Sequence, residues 1–160
     1  MKEILAGRFN KEELVKLLNA DREKFDETLL IALENKHPVS WRAAWMLYHT
    51  MEEKDRRLQP YLPQLIRALK GKGDGHQREL LRIIGLLEIT EEYEGILFDA
   101  CMEIWEQVGK IPSVRIFAFR LIVQIARKYP ELKNEISFLT QPHYTETLSP
   151  GIKNSLQKLV

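Results

Sequence analysis

The side chains that could carry out a reaction are few and poorly grouped. The four histidines are followed by Pro38, Thr50, Gln77 and Tyr144, so none opens an H-E-x-x-H metal pair. No Cys-x-x-Cys and no G-x-S-x-G occurs either. His49 lies near Met46 on a helical pattern and reads as a surface or partly packed ring. Cys101 shares a stripe with Leu97, Ile104 and Val108, which describes a buried, inert thiol. The carboxylates Glu91, Glu92, Glu94, Asp99, Glu103 and Glu106 are close enough to be searched for an acid/base pair. A charge run is first a solvated face, and nothing in the sequence gives one of them a shifted pKa. The Gly-rich stretch 71–75, GKGDG, lacks the G-x-x-x-x-G-K-[ST] spacing and follows a helical pattern, so it reads as a helix stop rather than a phosphate cradle. No catalytic residue, metal ligand or cofactor is assigned.

Recognition chemistry is better represented. Trp41, Trp45 and Tyr48 fall at i, i+4 and i+7, and the equivalent places downstream hold Arg78, Arg82 and Gly85, then Arg115, Phe119 and Ile122. Cations interleaved with rings suit phosphates and flat ring faces. The same spacing is also a packing stripe in which arginine stems cover apolar surface, and packing is the preferred reading.

Helices must position these residues, and the stretch 112–129, PSVRIFAFRLIVQIARKY, organises them. Val114, Ala118, Leu121 and Ile125 form one stripe, with Ile116, Phe119, Ile122 and Val123 on its flanks, so this helix needs cover on several sides. Leu121, Ile84 and Leu47 are spaced by 37 residues each, with a weaker copy ending at Leu159, and equal periods define an internal repeat. Asn10 with Glu13 opens a leading helix at about 11–19, and Asp21 opens a second over 22–35. Ser40 begins the helix carrying Trp41 to Leu47. Pro60 and Pro63 stand in the first turn of a helix over 58–70, and others follow over 76–88 and, capped by Thr90, 92–107. Pro112, Pro130 and Ser149-Pro150 open the rest, and no stretch alternates as a strand would. About nine helices in an all-α chain are predicted. After the leading helix they group as pairs over 22–51, 58–88, 92–128 and 131–160, which would stack as a solenoid in one domain over 1–160.

These patterns resemble HEAT repeats. LPQLIRAL, residues 62–69, is similar to the run on the first helix of that repeat. Val114-Arg115, Ala118 and Leu121 are similar to the second, with Trp41 to Leu47 and Arg78 to Gly85 matching more loosely. The resemblance implies a right-handed α-solenoid of antiparallel helix pairs whose second helices line a concave face. The family's aspartate six residues before the arginine is replaced by Asn35, Lys72 and Gly109, which interrupts its inter-repeat ladder. The His-Glu pairs of the metal-dependent hydroxylases built from such repeats are missing.

Charge then gives that concave face a character. The second helices of the pairs hold nine basic and two acidic residues, and the first helices sum to a net charge of −6. At 100° per residue, Arg42, Met46 and His49, Ile83 and Leu86, and Ile116, Arg120 and Val123 point away from the core stripe and would line a groove. The expected function is a non-enzymatic scaffold gripping an acidic protein or peptide, with Met46, Ile83 and Ile116 as apolar anchors. The alternative resembles the alkylpurine DNA glycosylases built from similar repeats, with nucleic acid held by Trp41, Trp45, Arg78, Arg82, Arg115, Phe119 and Arg120.

Composition is permissive. With 160 residues, 44% hydrophobic, and 24 Lys and Arg against 23 Asp and Glu, the chain has enough apolar content for a core and names no partner by net charge. A single cysteine fits a reducing compartment, and no run approaches the ~18 apolar residues of a membrane span, so a cytoplasmic chain without a membrane partner is expected.

Overall fold

In the computed structural model, which describes residues 1–160, every regular element is helical. In order these are α1 (Lys2–Ala6), α2 (Lys11–Ala20), α3 (Arg22–Leu33), α4 (Val39–Thr50), α5 (Leu62–Ala68), α6 (Asp74–Leu86), α7 (Glu91–Glu106), α8 (Pro112–Ala126), α9 (Lys133–Phe138), α10 (Pro142–Thr145) and α11 (Pro150–Leu159). Short 3-10 turns at Gln59–Tyr61 and Pro130–Leu132 lead into α5 and α9.

Local chemistry sets the ends. The side chain of Asn10 accepts from the Glu13 amide at 3.1 Å, and that of Asp21 from the Lys24 amide at 3.1 Å, so α2 and α3 begin where polar caps satisfy otherwise orphaned donors. Pro112 and Pro150 occupy first turns, where a missing N–H does no harm. After α5, Gly71 turns the chain with φ +74°, a conformation that favours glycine, so the first part of the GKGDG stretch is a helix stop as expected while its Asp74 and Gly75 open α6.

The chain forms two compact units, Met1–Ile89 and Thr90–Val160, divided between the second and third predicted pairs. In the first, α3 packs on α4 and α5 on α6, while α4 is flanked by α1, α2, α3 and α6. Its core includes Leu18, Phe25, Leu29, Ala43, Ala44, Leu47, Leu65, Leu80 and Ile84, all essentially inaccessible. In the second unit α8 is covered by α7, α9 and α11. Both the stripe Val114, Ala118, Leu121, Ile125 and its flanks are buried, as an all-round apolar helix requires.

Several elements differ from expectation. The five-residue α1 has too few turns to show a period, and its one core side chain is Leu5. Helix α6 starts two residues early, at Asp74. Ser40 lies inside α4 and its hydroxyl accepts from the Lys36 amide, while Thr90 flanks α7 without a side-chain cap. The helix predicted to open at Pro130 is a 3-10 turn plus α9, with α10 beyond it, so the fourth pair is several short pieces rather than two helices. No helix is long and apolar enough to cross a membrane.

Candidate binding surface

The apolar anchors of the expected groove are core residues. Met46 and Ile83 are 0% exposed and Ile116 only 6%, and Val123 is buried with them. Helical periodicity ranks faces by direction but does not count neighbours. Helix α4 has four and α8 has three, so the sides opposite their main stripes are also covered. Met46, Ile83 and Ile116 are therefore packed inside their own units and do not serve as exposed anchors.

Two further predicted contacts are structural. Phe119 is fully buried, its ring centroid 4.6 Å from that of Trp105. Arg115 is also 0% exposed. It donates from Nε and Nη2 to the Trp105 carbonyl at 2.9 and 2.8 Å, and from Nη2 to the Tyr144 carbonyl at 2.7 Å. Neither can meet a ligand.

The remaining positions keep some exposure. On α6, Arg78 and Arg82 both pair with the fully buried Glu79: Arg78 through Nε and Nη2 at 3.0 and 2.9 Å, Arg82 through Nη1 at 2.9 Å. The Arg82 guanidinium also stands 3.7 Å over the Tyr48 ring. These cations are fixed in place, and Glu79 offsets part of their charge. Arg120 is exposed on the second unit, 5.1 Å over the Phe117 ring.

Trp41, Arg42 and Trp45 meet residues that sequence reasoning missed. With Gly7, Arg8 and Phe9 from the α1–α2 turn and Lys11 at the start of α2 they line a cleft of roughly 480 Å³. Arg42 Nη1 donates to the carbonyls of Leu5, Ala6 and Gly7 at 2.8, 3.3 and 3.0 Å, so it fastens the end of α1 to α4 and shapes the wall. Trp41 packs its indole edge on the first turn of α6, where a Cβ at Gly75 would lie 3.5 Å from Nε1. His37 stacks on its ring at 6.4 Å, and Trp45 meets the edge of His49 at 4.6 Å. Arg8 and Lys11 are exposed and carry no ion pair. The usable signal was the run Arg8-Phe9-x-Lys11, which has meaning only once α1 is folded against α4.

Electrostatics around the cleft disfavour further positive charge. Burial, reinforced by Lys11 and Arg82 and opposed by Glu79, holds the His49 imidazole below its ordinary value and so favours the neutral ring beside these cations. On the second unit Glu94 departs from the solvated face expected of the α7 carboxylates. It is buried, and hydrogen bonds from Lys128 Nζ and from Tyr129 OH at 2.6 Å hold its carboxyl below the usual range. With Glu91, Asp99 and Glu131 it rims a smaller cleft of roughly 290 Å³ over Phe98, Ile125 and Leu132. No three His, Cys, Asp or Glu side chains converge as a metal ligand set would. Cys101 is fully buried and its thiol is pushed up by burial, away from the thiolate.

No curated protein and no solved structure shows significant similarity to the chain. A family model described as a HEAT repeat domain matches residues 1–160, and with its all-helical build the chain belongs to the HEAT repeat domain family.

Proposed function

We propose that the chain is a non-enzymatic binding module that grips an acidic protein partner on the α4 face of its first unit. HEAT repeats commonly mediate protein interactions, which supports the class. The observation that carries the surface is the lining of the roughly 480 Å³ cleft: three cations, three aromatic rings, one glycine and no carboxylate. Rings flanked by cations supply apolar contact area and charge complementarity together. This replaces the buried Met46, Ile83 and Ile116 by Phe9, Trp41 and Trp45 and leaves the acidic character of the partner unchanged.

The test compares binding of polyglutamate with that of an equally long oligothymidylate. Reversing Arg8→Glu with Lys11→Glu is expected to abolish polyglutamate binding. Reversing Lys153→Glu with Lys158→Glu on α11 changes net charge equally and is expected to leave it intact. Equal loss in both double variants would overturn the surface. Tighter binding of the oligothymidylate, with a steep salt dependence, would support the nucleic-acid alternative instead.

A further inference from the structure

The cleft's dimensions and the division of labour among its side chains narrow the partner further. We infer that it receives a short, extended acidic segment with one bulky apolar or aromatic anchor, rather than a broad folded surface. This rests on the reading that the α4 face takes an acidic protein.

Size comes first. A cleft of roughly 480 Å³ lies within the range of about 300–1,000 Å³ typical of small-ligand pockets. That accommodates a large side chain and its neighbours. A folded partner would instead need about 800 Å² of each surface. A nucleic-acid strand needs a cationic track running along several nucleotides, and the cations here gather at one cleft.

Rigidity comes second. Trp41 is braced by the first turn of α6 and by His37, and Trp45 by His49, so both rings are held before a ligand arrives. Phe9 is half-buried in the turn facing them. Preformed aromatic walls favour one flat or bulky anchor because little rotamer freedom is lost on binding.

The cations then divide by role. Arg42 is a positioning residue, since its Nη1 is held by three carbonyls at the end of α1. Arg8 and Lys11 are exposed and free of ion pairs, so they meet the carboxylates that flank the anchor. The segment is thus read in two ways, by shape at the rings and by charge at the turn.

End-blocked peptides decide it by titration calorimetry: Asp-Glu-Trp-Glu-Asp, Asp-Glu-Ala-Glu-Asp and Lys-Lys-Trp-Lys-Lys, with oligothymidylate beside them. The acidic tryptophan peptide is expected to bind at least about tenfold more tightly than either control. Phe9→Ala should bring its affinity down to that of the alanine peptide. Arg8→Gln with Lys11→Gln should weaken both acidic peptides alike and leave the melting temperature unchanged. Equal binding of the tryptophan and alanine peptides would overturn the anchored segment while sparing the acidic-partner reading. No binding by any peptide at millimolar concentration would also overturn it, and the charge-reversal pair on polyglutamate then judges the broader reading separately. Preference for oligothymidylate would overturn both.

Discussion

The guanidinium of Arg115 lies 4.5 Å over the Trp105 ring while donating twice to the carbonyl of that same residue. One side chain therefore satisfies a carbonyl near the end of α7, stacks on the ring beside it, and reaches on to the Tyr144 carbonyl at 2.7 Å. Gly109 stands where HEAT repeats commonly carry the aspartate of their inter-repeat ladder, and Arg115 is held by backbone carbonyls and a ring face. Burial pulls the guanidinium below its ordinary value, but arginine keeps its proton, so the charge is held by dipoles and the π face.

Replacing Arg115 should accordingly cost more than an ion pair would. Arg115→Ala leaves two inward-facing carbonyls without their donor and opens a cavity, for a loss on the order of 3 kcal/mol. Arg115→Lys should recover only part of it, because an ammonium lacks the planar fork that reaches both carbonyls. Chemical denaturation measures both; a loss below about 1 kcal/mol for the alanine variant would show that the network contributes little.

The hydrophobic centre of the second unit gives a simpler expectation. Leu121 is 3% exposed on a helix covered by α7, α9 and α11. Leu121→Ala should destabilise by roughly 2–5 kcal/mol through lost transfer energy and a residual cavity. Exposed Gln124, three residues on, should tolerate alanine with a change within about 0.5 kcal/mol.

Acid should loosen the first unit through His76. Its Nε2 donates to the Ala32 carbonyl at 2.8 Å, tying the start of α6 to the end of α3. Burial is the main influence holding this imidazole below its ordinary value; the hydrogen bond to Ala32 opposes that and the nearby Lys72 and His37 charges add to it. Between the lowered folded value and the ordinary unfolded one, the unfolded chain binds more protons. The stabilising contribution is thus complete above the unfolded value and is lost as pH falls through the folded one. Urea midpoints measured from pH ~7.5 down to ~5 should decline more steeply for the native chain than for His76→Gln, whose amide keeps the hydrogen bond without titrating. Parallel declines would remove His76 as the cause.

The same contrast between direction and surroundings explains what was legible in the sequence. Caps at Asn10 and Asp21, the proline openings and the buried stripe of α8 are local or periodic, so residue types alone reveal them. The open face of α4 is not local. It depends on α1, a five-residue helix too short for a period, being fastened across α4 by Arg42. Without that strap in view, Arg8 and Phe9 look like an ordinary linker and Lys11 like a solvated residue of the leading helix. Met46, by contrast, looks like an exposed anchor until the four neighbours of α4 are counted.

Trp45 and Met46 turn that lesson into a paired measurement. They are consecutive on α4, yet Met46 is 0% exposed and Trp45 is half-buried along the cleft. Met46→Ala removes a packed core side chain and should cost roughly 2–5 kcal/mol, visible as a lower melting temperature. Any effect on binding should vanish when affinity is measured well below that temperature. Trp45→Ala removes a wall of the cleft without emptying the core, so stability should change little while affinity for the acidic tryptophan peptide falls about tenfold or more. Trp45→Phe should restore much of that affinity because a flat ring remains. If instead Met46→Ala weakens binding at low temperature while Trp45→Ala does not, the recognition surface lies on the other side of α4 and the cleft is not the site.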